Sequence, residues 1–155
     1  PPSRLRLSPS PSLPVADGTS VLFNCTSDRA YPIPTFEWYK NDKLIQRSIG
    51  MNIHNETNTA SFSSSSLLTL VLSSIDHDHV LRCQVTNEAS IHDTNVELKL
   101  NVLFKPIINI SWNQKQSPTT LTVIEDTIET IHCIVSANPS AMANIEWLKN
   151  DQLIR

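Results

Sequence analysis

The sequence predicts an all-β chain, an antiparallel sandwich of two packed sheets. Apolar and polar residues alternate with a period of two in run after run, the mark of strands with one buried face and one wet face. A motif of about 25 residues also occurs twice, which predicts tandem modules. Residues 23–45 read FNCTSDRAYPIPTFEWYKNDKLI and residues 131–154 read IHCIVSANPSAMANIEWLKNDQLI. A one-residue shift places Cys25 on Cys133, Trp38 on Trp147, Lys40-Asn41-Asp42 on Lys149-Asn150-Asp151 and Leu44-Ile45 on Leu153-Ile154. No segment carries a helical stripe.

The strands follow in order. Val21, Phe23 and Cys25 face inward against Leu22, Asn24 and Thr26, and Phe36 and Trp38 against Glu37 and Tyr39. Leu68, Leu70 and Leu72 then alternate with Thr69, Val71 and Ser73, and Leu81, Cys83 and Val85 with Arg82, Gln84 and Thr86. Val96, Leu98, Leu100 and Val102 close the first module against Glu97, Lys99 and Asn101. Pro9, Pro11, Pro14, Pro32 and Pro34 are expected at strand starts and turns, where a missing N–H does least harm. The serine run 61–66 reads as a solvated turn before Leu67, with O-glycosylation the alternative. Phe104-Lys105-Pro106 reads as a short, stiff linker into the second module.

The chain has three cysteines, two glycines, ten prolines and a net charge of −3. That balance offers no basic stripe for nucleic acid, and no apolar run approaches a membrane span. Pairing Cys25 with Cys83 leaves Cys133 over; since Cys133 repeats the Cys25 position, its partner is expected beyond the chain. Closing the loop between Cys25 and Cys83 would contribute roughly 4 kcal/mol in the chain-entropy model. Trp38, and Trp147 in the second copy, are the expected core rings beside those cysteines. Three glycosylation sequons, at Asn24, Asn55 and Asn109, point to the secretory pathway.

Cys25, Trp38 and Cys83 resemble the signature of an immunoglobulin-type domain. The resemblance covers residues 3–104 as a full module and 106–155 as a partial one. Leu81 stands where such domains usually carry tyrosine, and Asp76-His77-Asp78-His79 replaces the usual Asp-x-Gly, so an antibody-like variable domain is not expected. Residues 81–89 (LRCQVTNEA) and 101–106 (NVLFKP) resemble the constant-like modules of nephrin-type adhesion molecules. The expected fold is one complete immunoglobulin-like sandwich over 1–103 and the N-terminal part of a second over 104–155, truncated after the tryptophan-bearing strand. The resemblance implies that the outermost module binds, while Pro1-Pro2 suggests that this module is internal.

Nothing in the sequence suggests an enzyme or a cofactor: there is no nucleophile elbow, no zinc spacing and no phosphate loop. The alternating Asp76–His79 cluster could offer at most two ligands to one face of a strand, so a polar turn is expected and metal is not. The candidate binding surface is a sheet face carrying Glu37, Tyr39, Arg82, Gln84, Glu97 and Lys99, with Tyr39 as anchor. An ordinary solvated spacer face is the competing reading. The expected function is that of an extracellular segment of a cell-surface adhesion or recognition protein. Its partners would be other cell-surface immunoglobulin-type proteins, homophilic or heterophilic, with no nucleic acid or small-molecule substrate and with membrane anchoring outside residues 1–155. A ligand-binding receptor ectodomain and a structural matrix module are the alternatives.

Overall fold

The computed structural model describes residues 3–55, 62–89, 93–112, 115–116, 120, 122–140 and 144–154. Of these, the side chains of Ser3, Arg29, residues 52–55, Phe62 and residues 115–116 lie outside the description. The chain divides into two units, Pro1–Leu103 and Phe104–Arg155.

The first unit is a two-sheet sandwich. Its strands are β1 (Ser3–Ser10), β2 (Val15–Ala16), β3 (Thr19–Ala30), β4 (Thr35–Lys40), β5 (Lys43–Ile49), β6 (Met51–Asn55), β7 (Phe62–Leu72), β8 (Val80–Thr86) and β9 (Thr94–Lys99). One sheet has the order β1-β3-β7-β6 and the other β5-β4-β8-β9, with every pairing inside these two sheets antiparallel. The predicted inward residues Val21, Phe23, Phe36, Trp38, Leu68, Leu72, Leu81 and Val85 form the core, joined by Val15, Leu100 and Val102. Within it Cys25 of β3 is bonded to Cys83 of β8, linking the two sheets across a sequence separation of 58. Trp38 lies beside Cys83 in the β4–β8 register and is fully buried.

Three expectations are corrected here. Ser63–Ser66 are not a turn but part of β7, with Ser64 and Ser66 buried; Ser61 lies outside the described residues. The reason is an acceptor requirement: the indole N–H of Trp38 donates to Ser66 Oγ at 2.9 Å, and Ser48 Oγ lies 2.7 Å from the same oxygen. Pro9 sits inside β1 rather than at a turn, tolerated because β1 is the edge of its sheet. Residues 104–106 lie within a strand, β10 (Val102–Trp112), whose register shifts between Phe104 and Ile107, so Pro106 falls at an irregularity of the ladder.

The repeated Lys-Asn-Asp segment is a hairpin turn. Asn41 (φ 46°) and Asp42 (φ 62°) join β4 to β5, with Lys40 facing Lys43. Two consecutive residues at positive φ match the right-handed twist of the strands they connect, and Asn and Asp reach that region more readily than most residues.

In the second unit, β10 pairs with β11 (Lys115–Gln116) and β12 (Ile131–Asn138). The strands β13 (Leu148–Lys149) and β14 (Gln152–Leu153) form a separate hairpin, and Asn150 and Asp151 adopt φ of 50° and 63°, repeating the first turn. Trp147 does not match the expectation of a core residue: it is 39% exposed. It also precedes β13 rather than lying within a strand. Trp38 is covered by β7 and β8, and the described residues of the second unit supply no counterpart to either.

Candidate functional site

The outward side chains of β4, β8 and β9 meet as alternation requires. Register sets Glu37 beside Gln84, Tyr39 beside Arg82, and Arg82 beside Glu97. The six predicted residues therefore share one face of the β5-β4-β8-β9 sheet, with Lys99 at the end where β9 faces Val80.

Their chemistry is more internally committed than the sequence suggests. Tyr39 is half-buried; its hydroxyl donates to Glu37 Oε2 at 2.5 Å, and the Arg82 guanidinium lies over its ring, 4.7 Å from the centroid. Glu37 also accepts from Arg47 Nε at 2.6 Å. Arg82 reaches Asp42 Oδ1 at 2.7 Å and stands 3.8 Å from Glu97. Lys99 pairs with Asp78 at 2.9 Å, and Gln84 donates to Asp93 at 2.8 Å. The hydrogen bond from Tyr39 first, with help from Arg47 and against partial desolvation, holds the Glu37 carboxyl below its ordinary value. The same bond raises the Tyr39 hydroxyl. Lys99 lowers Asp78 by its hydrogen bond in the first place.

Tyr39, expected as the anchor of this face, is therefore a clamped ring under an arginine. Arg47, Asp42, Asp78 and Asp93 belong to this face and sequence reasoning missed them. Arg47 was legible only through the β4–β5 hairpin, which sets it opposite Glu37.

The Asp76–His79 cluster is split by direction. Asp76 closes a short 3-10 turn, Ser74–Asp76, and is buried. It accepts from Lys40 Nζ at 2.7 Å and from both the backbone N–H and the hydroxyl of Ser73 at 2.9 Å. Burial alone would raise its carboxyl; these donors outweigh it and hold it below the ordinary carboxylate value. Asp78 points instead to Lys99 on the surface. Among the described residues no group of three or more His, Cys, Asp or Glu could hold a metal, and no helix is long and apolar enough to cross a membrane.

Of the three sequons, Asn24 lies mid-strand in β3 on the outer face of the β1-β3-β7-β6 sheet, and Asn109 is exposed in β10. Asn55 ends β6; its side chain and Glu56-Thr57 lie outside the described residues. Cys133 is a free thiol, half-buried beside a cleft of about 510 Å³ lined by Ile108, Ile110, Val135, Ile145 and Trp147.

A disulfide linking two antiparallel sheets, with a tryptophan buried against it, is the arrangement of an immunoglobulin sandwich. The model of the CD80-like C2-set immunoglobulin domain matches residues 5–94. The chain belongs to this C2-set immunoglobulin family. Human (Homo sapiens) Kin of IRRE-like protein 3 is 23% identical over 148 residues, which cover 94% of this chain and 18% of that protein. Human (Homo sapiens) hemicentin-1 is 27% identical over 140 residues, 90% of this chain and 2% of that protein. The chain thus spans under a fifth of the first relative and a small fraction of the second. The full ectodomain of mouse nectin-like molecule 4 (Ig1-Ig3) shares the fold, with a TM-score of 0.62 at 20% identity over 89% of this chain and 44% of that one. The C2-set assignment agrees with the expected constant-like module. In this C2-set domain Leu81 is fully buried and contributes apolar packing to the core.

Proposed function

We propose that residues 1–155 belong to the extracellular part of a cell-surface adhesion or recognition protein, and that they act by non-covalent contact with other immunoglobulin-type proteins. The observation that carries this reading is the β5-β4-β8-β9 face of a C2-set sandwich, where Glu37, Tyr39, Arg82 and Glu97 form one ordered, mixed-charge surface. Exposed ion pairs contribute only about 0–1 kcal/mol each, so an approaching surface can exchange them for its own charges at little cost. Such exchange selects partners by charge pattern more than it adds affinity, and weak contacts in tandem modules gain avidity. The extracellular setting is supported by the Cys25–Cys83 bond, which persists in oxidising compartments, and by three sequons.

The spacer reading is favoured by one specific feature. The cations Arg47, Arg82 and Lys99 already have partners within this unit, whereas tight interfaces use a desolvated anchor. Clustering of beads coated with the purified protein separates the two. The adhesion reading predicts clusters that weaken as salt rises and that Lys99→Gln, at an exposed pair, loosens while urea unfolding is little changed. Wild-type beads that stay dispersed at every ionic strength would count against it and leave the spacer.

A further inference from the structure

The sheet face opposite the proposed contact surface has an unusual make-up. Its outward residues include Leu22 (40% exposed), Leu67 (39%) and Val71 (66%), an apolar strip interrupted by Thr69 and left open to solvent. Asn24 lies inside that strip. Across the ladder its neighbours are Ser8 on β1 and Leu67 on β7; along β3, on the same face, they are Leu22 and Thr26. Arg6, opposite Thr26 on β1, is one diagonal away. Its amide oxygen Oδ1 is buried and meets no hydrogen-bond donor, while the residue as a whole is half-buried. An unpaired acceptor at this position stabilises nothing, so the fold gives no reason of its own for an asparagine here. The triplet Asn24-Cys25-Thr26 supplies one.

We propose that Asn24 carries an N-linked glycan whose first sugars lie over Leu22, Leu67 and Val71, so that this face is the shielded side of the domain. In the transfer, Nδ2 attacks C1 of the reducing-end sugar of a lipid-pyrophosphate-linked oligosaccharide. The C1–O bond to phosphate breaks, the lipid pyrophosphate leaves, a new N–C1 bond forms, and the amide proton passes to a base of the transferase. The adjacent Cys25 does not obstruct this. Its partner Cys83 is 58 residues further on, so at typical synthesis rates Asn24 precedes it by roughly 3–12 s, in a chain not yet cross-linked. The apolar faces of the first sugars then cover side chains that would otherwise offer a docking patch to a second protein, and partners are confined to the β5-β4-β8-β9 face. Small neighbours, Ser8 and Thr26, leave room at the attachment point.

The inference rests on the extracellular reading, and its test is separate from bead clustering. Residues 1–155 are secreted from eukaryotic cells, and enzymatic glycan release in heavy-oxygen water tags every formerly occupied asparagine for peptide mass mapping. The expected result is a tag on Asn24 in most molecules. Asn24→Gln and Thr26→Val, which remove the same glycan by different side chains, should each lower the mass by one glycan, raise binding of a hydrophobic dye and shift gel filtration towards association. Asn24 untagged while Asn55 or Asn109 is tagged overturns the site, whatever the beads do. Asn24 tagged, with dye binding and elution unchanged in both variants, overturns the shielding. Dispersed beads with Asn24 tagged would remove the adhesion reading and leave the glycan standing.

Discussion

Trp38 shows how one acceptor decides the fate of a segment. Its ring is fully buried, so its indole N–H needs a partner, and Ser66 Oγ at 2.9 Å is that partner. Ser66→Ala should leave the N–H unsatisfied and cost about 1–3 kcal/mol, read as a lower urea midpoint at unchanged m-value; Ser65→Ala, on the solvent side of the same strand, should cost little. Asp76 carries the pH dependence. Its folded pKa is depressed, so it contributes stability that is fully present above the unfolded carboxylate value of about 3.9 and is lost as pH falls through the lower folded value. Chemical denaturation from pH 6 downward should therefore show stability falling below about pH 4, and Asp76→Asn should flatten that fall. At neutral pH, Asp76→Ala should cost about 2 kcal/mol, less than for a fully buried pair because Lys40 is a third exposed.

At the scale of elements, the strands were legible because alternation reports burial directly: Val21/Phe23/Cys25 and Leu81/Cys83/Val85 face inward as read. The serine run was not legible. Serine suits turns and strands alike, and only the position of Trp38 across the core selects the strand. The shared sheet face was legible as a set of residues but not as a network, since Asp42, Arg47 and Asp78 enter it through turns and registers that alternation does not encode. The Lys-Asn-Asp repeat held a further readable signal, a two-residue hairpin. Asn41 adopts positive φ, and its side chain also accepts the Val80 N–H at 2.9 Å. Asn41→Ala should lose both and cost about 1–2 kcal/mol, whereas Asn41→Gly should cost less because glycine keeps the conformation. Equal losses in the two variants would remove the backbone contribution. Gly50 is constrained by space: an added Cβ would lie 2.9 Å from Ser64 Cβ and 3.1 Å from Phe36 Cε2. Gly50→Ala should accordingly lower the thermal midpoint by pushing β6 from the core edge.

For the whole molecule, the repeat foretold two similar elements but not equal burial. Trp38 and Trp147 share a motif, yet the first is sealed between sheets and the second is exposed, because cover comes from distant strands that a local motif does not specify. The same contrast separates the cysteines. Cys25 and Cys83 link the sheets of a module matched over residues 5–94, while Cys133 is a free thiol beside an open cleft. Cys25→Ser should remove about 4 kcal/mol, enough to unfold a domain of ordinary stability, while Cys133→Ser should leave the unfolding midpoint nearly unchanged. Both the proposed contact face and the proposed shielded face depend on the two sheets being fixed back to back by this one bond. Non-reducing peptide mapping of secreted residues 1–155 tests it most directly: a single cross-linked peptide pair containing Cys25 and Cys83, with Cys133 alkylated as a free thiol, is the predicted result. Cys25 recovered in a pair with Cys133, or Cys25 and Cys83 both alkylated, would contradict the account.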